Sequence, residues 1–233
     1  MLFKSFKGDS PHPDLLLDGI PILKVQCTKF LGIFIDDRLT WKHHLKFVEN
    51  KLSSANFIIK QIRHKINNSS AIKLYDTLIL PYLTYCNTIW GMLNKTNLKR
   101  IVRLQKRALR VCTGHFSRSS RDLFMHAGRL PFDSLNQFFL AKLVHQFFYD
   151  SSSLPLTIFT LFNRPSQIHS YQTRAADNLN LFINYSRLDV RKNFIKINAP
   201  LLWNKIPLQI GEIISIPLFK KQLKAHLLNN FLE

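Results

Sequence analysis

Apolar and polar positions follow two different rhythms along this chain. Residues 1–36 carry short apolar runs, Met1 to Phe3, Ile20 to Cys27 and Phe30 to Ile35, parted by Gly8, Pro11, Pro13, Gly19 and Pro21. Short runs bounded by turn formers read as strands. A small amino-terminal sheet of two or three strands is therefore expected, and a sheet that small needs a partner to cover it. From Thr40 onward the period lengthens. Leu45, Val48, Leu52, Ala55, Ile59 and Ile62 recur at steps of three and four, which is one face of a helix, with Thr40 as its cap and Asn67-Asn68 near its end. Ser69 or Ser70 is placed to cap a second helix through Ala71, Leu74, Tyr75 and Leu78. Pro81 should kink it, and Tyr82, Tyr85, Ile89 and Trp90 continue its apolar face to Gly91.

A third helix, 95–112 behind an Asn94 cap, divides most cleanly. Leu98, Ile101, Gln105, Ala108, Leu109 and Cys112 fall on one side; Lys95, Lys99, Arg103, Lys106 and Arg110 fall on the other, with Arg100 and Arg107 at the border. After a polar break over 114–121, Ser120 starts a short helix that stops at Gly128. Pro131 or Asp133 opens another, with Leu135, Phe138, Phe139, Val144, Phe147 and Phe148 on its buried side, and 151–153 is a loop. Residues 163–200 are the least regular, with 179–183 and 194–197 as candidate strands and 200–205 as a turn or short helix. Ser215 and Pro217 then open a last helix on Phe219, Leu223 and Leu227. The chain reads as mainly α, with a small β element over 1–37, a helical unit over 38–115 and a mostly helical region over 116–233.

Composition agrees: hydrophobic residues make up 46% of 233, and 19 Phe against 7 Gly favour helices over tight-turned sheet. Charge changes the picture more. Lys and Arg number 33 against 14 Asp and Glu, a formal +19, so the surface attracts polyanions. From Arg38 through Arg121 the only acids are Glu49 and Asp76. The basic side of the third helix can therefore follow a phosphate backbone; the blander alternative is a solvated amphipathic face. Cys27, Cys86 and Cys112 are odd in number and form no C-x-x-C pair, which argues against a disulfide framework and a zinc site and for an intracellular setting, nuclear or cytoplasmic. Cys112 and His115 have no second pair of ligand spacing, so no metal is expected. Lys4, Lys7 and Asp9 interrupt any signal-peptide run, and Lys73, Asp76, Pro81 and Asn87 break the apolar stretch 71–93, so a buried helix is expected there and no membrane span.

Phe34-Ile35-Asp36-Asp37 matches the F/Y-x-D-D pattern by which polymerases hold two metal ions. Such a site needs a further aspartate on a separate upstream strand, and Asp9, Asp14 and Asp18 all stand in turn-like sequence. The residues that follow, Arg38 to Trp41, lead into a helix, where Asp36 or Asp37 would sit at its positive end. No catalytic residue is assigned. No phosphate loop, dinucleotide fingerprint, zinc-protease or nucleophile-elbow motif occurs, so no cofactor and no small-molecule substrate are expected. His43 and His44, as neighbours on a helix start, make a poor ligand pair.

The order of motifs resembles one family. Phe30-Leu31-Gly32-Ile33-x-Ile35-Asp36-x-x-Leu39-Thr40-Trp41-x-x-His44 is similar to the segment after the palm motifs of LINE-like, non-LTR retrotransposon reverse transcriptases, jockey-like elements above all. Leu74-Tyr75-x-x-Leu78-Ile79-x-Pro81-x-Leu83-x-Tyr85-Cys86-x-x-x-Trp90-Gly91 resembles the next block, and Leu104 to Arg110 the third. His169-x-Tyr171-x-Thr173-Arg174 and Leu202-Trp203-Asn204-x-x-Pro207 resemble the fourth and fifth, with Phe219-Lys220-x-x-Leu223-Lys224 behind them. The resemblance runs over essentially the whole chain. It implies a carboxy-terminal part of an RNA-directed DNA polymerase whose catalytic aspartates precede this segment, so that the fragment alone is not an enzyme. It further implies a palm-edge β element over 1–37 and a primer-grip-like role for Phe30, Leu31 and Gly32. The helices of 38–115 would be thumb-like and hold RNA or an RNA–DNA duplex through Lys95, Lys99, Arg100, Arg103, Lys106, Arg107 and Arg110. A palm supplied in trans is a further expected partner. A helical protein-interaction module, or a remnant without function, is the alternative.

Overall fold

In the computed structural model, which describes residues 3, 15–116, 119–168, 179–185 and 194–230, the change of period at Thr40 is a change of secondary structure. Two antiparallel hairpins come first. β1 (Leu16–Leu17) pairs with β2 (Ile20–Pro21), and β3 (Cys27–Phe30) with β4 (Ile33–Asp36). They form two separate two-stranded sheets where one was expected. The expected strand from Ile20 to Cys27 stops at Pro21, which has no N–H to continue a ladder. Met1-Leu2 lies outside the described residues. Leu31 and Gly32 turn the second hairpin with φ of 45° and 84°, the two-residue turn with positive φ at both positions that suits the twist of paired strands.

Helix α1 (Lys42–Ile62) buries Leu45, Val48, Leu52, Ala55 and Ile59, as their spacing requires. Its start differs from expectation. Thr40 is not the cap: the carboxylate of Asp36 accepts the N–H groups of Thr40 and Trp41 at 2.8 and 2.7 Å, and Trp41 takes φ 63° at the N-cap position. Helix α2 (Asn68–Leu78) is capped ahead of Ser69 and Ser70, by Asn67 Oδ1 accepting from Ser70 N–H at 2.8 Å. Pro81 does more than kink it. The chain breaks at Ile79, restarts as α3 (Leu80–Thr84) with Pro81 in the first turn, and turns again through Cys86 (φ 49°) into α4 (Asn87–Trp90). These extra turns rotate the apolar face, so Tyr85 and Ile89 are exposed while Trp90 is fully buried.

Helix α5 (Lys95–Thr113) ends at Gly114, whose φ of 68° is the left-handed cap that glycine tolerates. α6 (Ser120–Ala127), capped by Ser119, stops at Gly128, and α7 (Phe132–Tyr149) follows. A short α8 (Leu156–Phe159) comes next. Residues 195–203 form α9 (Ile195–Trp203) where a strand was expected from 194, because Ile197, Pro200 and Trp203 bury themselves at helical spacing. α10 (Leu208–Gly211) and α11 (Ile216–Asn230) close the described chain, α11 burying Phe219, Leu223 and Leu227. One buried cluster runs from Leu45 on α1 to Leu227 on α11. α5 packs on α1, α2 and α6, while α7 packs on α3, α4, α9 and α11. The protein is mainly α, and among the described residues its β content is confined to the amino-terminal hairpins. Among the described residues, no helix is long and apolar enough to cross a membrane.

Candidate nucleic-acid interface

What turns the cations of α5 outward is how firmly its other side is held. Gln105 is fully buried and uses its whole amide. Its Nε2 donates to Tyr75 Oη and to the Leu130 carbonyl, both at 3.0 Å, while Oε1 accepts from Phe132 N–H at 3.0 Å. This one side chain ties α5 to α2 and to the start of α7. Asn56 on α1 donates to the Leu104 carbonyl at 3.2 Å, and Arg63 Nε to the Val111 carbonyl at 2.7 Å. With Leu98, Ile101, Ala108, Leu109 and Cys112 buried as well, α5 has no freedom to roll.

Lys95, Lys99, Arg100, Arg103 and Arg107 are therefore exposed, and Lys106 and Arg110 half-buried. From Lys99 to Arg110 the row spans about 16 Å at about 1.5 Å per residue, close to five base steps of about 3.4 Å along one strand. The two acids of the region lie elsewhere in the charge balance. Glu49, only 12% exposed, pairs with Arg100 at 3.2 Å, and Asp76 takes a two-pronged bond from Arg129. Arg100 thus keeps one side against α1. Among the described residues, no ion pair touches Lys95, Lys99, Arg103, Lys106, Arg107 or Arg110.

The hairpin tip is the second exposed feature. Phe30 is 61% and Leu31 74% exposed. Tyr85 latches the tip to the helices: its hydroxyl donates to the Leu31 carbonyl, and its ring lies 3.6 Å from where a Cβ on Gly32 would stand. Below Tyr85 the packing is tight. Trp90 Nε1 donates to the Tyr85 carbonyl at 2.9 Å, and Asn136 Nδ2 donates to Asn87 Oδ1 at 2.9 Å. A Cβ on Gly91 would meet Asn87 Oδ1 at 2.8 Å and Asn136 Nδ2 at 2.9 Å, so only glycine fits. β4 and α5 each pack on α1, which sets the distance between tip and basic row.

The other candidate groups are structural. Burial pushes the Asp36 carboxyl up, but the N–H groups of Thr40, Trp41 and Arg38 and the Thr40 hydroxyl outweigh it and hold the carboxyl below its usual range. His44 lies among Trp90, Phe47 and Trp41, and burial pushes its pKa down, keeping it neutral. Burial pushes the Cys112 thiol up to about 11, which leaves it unreactive. Among the described residues, no three His, Cys, Asp or Glu side chains are grouped to hold a metal ion. Trp203 and Asn204 form a clip: Trp203 Nε1 donates to the Leu179 carbonyl at 2.8 Å, and the Asn204 amide exchanges two bonds of 2.9 Å with Leu181. The 169–174 block lies outside the described residues.

Sequence reasoning missed the space between α1 and α5, a groove of about 520 Å³ lined by Asn56, Phe57, Lys60, His64, Leu104 and Arg107 among others. The available signal was Phe57, a large apolar residue off the buried stripe of α1.

No family model matches the chain, and no solved structure does. Three relatives from Drosophila melanogaster do. The probable RNA-directed DNA polymerase from transposon X-element is 26% identical over 105 residues, 44% of this chain and 12% of its own length. The probable RNA-directed DNA polymerase from transposon BS is 32% identical over 121 residues, 47% of this chain and 13% of its own length. The RNA-directed DNA polymerase from mobile element jockey is 28% identical over 106 residues, again 44% and 12%. Over the part that aligns, the chain is a relative of the RNA-directed DNA polymerases of jockey-type mobile elements, and that part spans about an eighth of their length.

Proposed function

We propose that this chain grips nucleic acid without regard to sequence, as the thumb-like helical unit of an RNA-directed DNA polymerase of a mobile element. The observation that carries the reading is the outward row Lys99, Arg103, Lys106 and Arg110 on a helix that cannot roll, with both nearby acids engaged by Arg100 and Arg129. Lys95, Arg100 and Arg107 flank the row. The ligands proposed are RNA and RNA–DNA duplex, met at their phosphates. Phe30, Leu31 and Gly32, held out by Tyr85, are proposed as the surface that meets the primer end. Polymerase chemistry would use carboxylates other than Asp36, whose oxygens already receive the Thr40 and Trp41 N–H groups.

Changing Lys99, Arg103, Lys106 and Arg110 to Gln together tests this. Four phosphate contacts give a slope of log K against log salt near about −3.6, from about −0.9 per contact on duplex DNA. Fluorescence anisotropy with a labelled hybrid duplex should show weaker binding and a flatter slope for the variant, equally for unrelated sequences. Its circular dichroism should match the parent, since the buried face of α5 is untouched. Unchanged affinity and slope would refute the role. A second reading, a face that docks on protein such as a polymerase palm in trans, is favoured by Leu16, Leu17, Ile20 and Leu23, exposed by 63 to 86% on and beside the first hairpin.

A further inference from the structure

We infer that the groove between α1 and α5 seats one unpaired nucleotide, its base stacked on Phe57 and its phosphate held by Lys60 and Arg107. The inference rests on the phosphate grip proposed for α5 and adds what that grip lacks, a place for a base.

Phe57 is 63% exposed. A single exposed apolar side chain needs no explanation on a flat surface. This one forms a wall of a concave space of about 520 Å³, within the size range of small-molecule sites. Lys60 stands three residues on, one turn along the same side of α1, and His64 one turn beyond that. Arg107 faces them from α5. Among the described residues, no carboxylate lines the groove. An aromatic face among cations is the composition that takes bases by stacking and backbone by charge.

Asn56 ties the two walls of the groove together. It is 5% exposed and lines the groove. Its Nδ2 donates to the Leu52 carbonyl at 2.8 Å and the Leu104 carbonyl at 3.2 Å, which fixes the orientation of the amide. Its Oδ1 has no hydrogen-bond partner. That oxygen is closed to solvent, so its missing partner is a cost of the fold and not a contact for a ligand. Because Asn56 also bonds to Leu104, the two helices are joined there and the groove has a set width. A base inside a duplex offers only its edges, so stacking on Phe57 selects a single strand or a frayed end.

The test compares the full chain with Phe57→Leu, which keeps an apolar side chain of similar size and removes the ring, and with Phe57→Trp, which keeps a ring. Anisotropy is read against a labelled single-stranded RNA of about twelve nucleotides and against a blunt hybrid duplex. Phe57→Leu should weaken single-strand binding by about 5- to 150-fold, the range for losing one base–aromatic stack. Phe57→Trp should restore it, and both variants should bind duplex with the parent's affinity and salt slope. Unchanged single-strand binding in Phe57→Leu, or an equal loss on single strand and duplex, overturns the inference and leaves the α5 grip standing. If the quadruple α5 variant binds duplex like the parent, the grip fails and the inference with it.

Discussion

At Asp36 the pH dependence of this fold acquires a named residue. The carboxylate is 6% exposed and its folded pKa is lowered. A depressed carboxyl stabilises the fold above its unfolded pKa of about 3.9, and that contribution is lost as pH falls through the lower folded value. Asp36→Asn should cost about 1–2 kcal/mol at neutral pH, the range for losing a cap. It should also flatten the decline of the urea midpoint below about pH 4. If parent and variant decline in parallel there, Asp36 is not the group responsible. His44 and His145 act in a higher window. Burial lowers both, with the Ile213 carbonyl opposing it at His145. The folded state thus prefers them neutral, and its stability falls as pH drops below about 6.5. Gly91 makes a steric prediction of its own. Gly91→Ala forces a methyl to within 3 Å of the Asn87 and Asn136 amides, so a loss of about 1–3 kcal/mol is expected, read as a lower thermal midpoint. A midpoint equal to the parent's would mean that the Asn87 carbonyl, 2.5 Å from such a Cβ, and the Asn87–Asn136 contact both yield freely.

Among the elements, the helices with a strong period were legible in advance, and their joints were not. The stripes of α1 and α5 are local patterns, readable because a helix repeats every three to four residues. The groups that start α1 and α2 and set the gap between α1 and α5 come from far along the chain or from an unexpected neighbour. Asp36 reaches forward from a hairpin, Asn67 caps ahead of two serines, and Asn56 meets Leu104 from 48 residues away. For the same reason the basic row of α5 could be read from spacing, while the groove beside it could not, because its far wall belongs to α1. Gln105 shows the limit within a single helix. Its place on the apolar side was visible, but its purpose depends on Leu130 and Phe132, beyond the next helix. Gln105→Leu preserves the apolar face and leaves the Phe132 N–H and the Leu130 carbonyl unpaired. Each such group costs about 1–3 kcal/mol. At about 2–4 °C per kcal/mol for a chain of this size, the midpoint should drop by at least about 4 °C. A change of less than about 1 °C would show that the Gln105 bonds do not help to hold α5.

Across the whole molecule, two surfaces respond to salt in opposite senses, and this separates the two readings of the chain. The formal charge of +19 is carried in part by the α5 row, and any grip on phosphates weakens as salt displaces the advantage of counterion release. The first hairpin and the stretch after it expose Leu16, Leu17, Ile20 and Leu23, and short paired strands with apolar side chains in water are a surface prone to associate. Burial of such a surface is not screened by salt, and salting-out anions strengthen it. High net charge opposes contact between copies at low salt. The full chain should therefore sediment as a monomer at low salt and move toward larger species as sodium sulfate is raised, over the same range in which its affinity for duplex falls. Replacing Leu16, Ile20 and Leu23 with Ser should abolish the larger species. Asp36 and the Tyr85 latch are left in place, which removal of the hairpins would not do. The variant's duplex affinity should equal the parent's, because none of the three residues belongs to the basic row. If the triple variant still associates in sulfate, the hairpin is not the contact. If it loses duplex binding as well, the two surfaces are not independent, and the hairpins help to hold the nucleic acid.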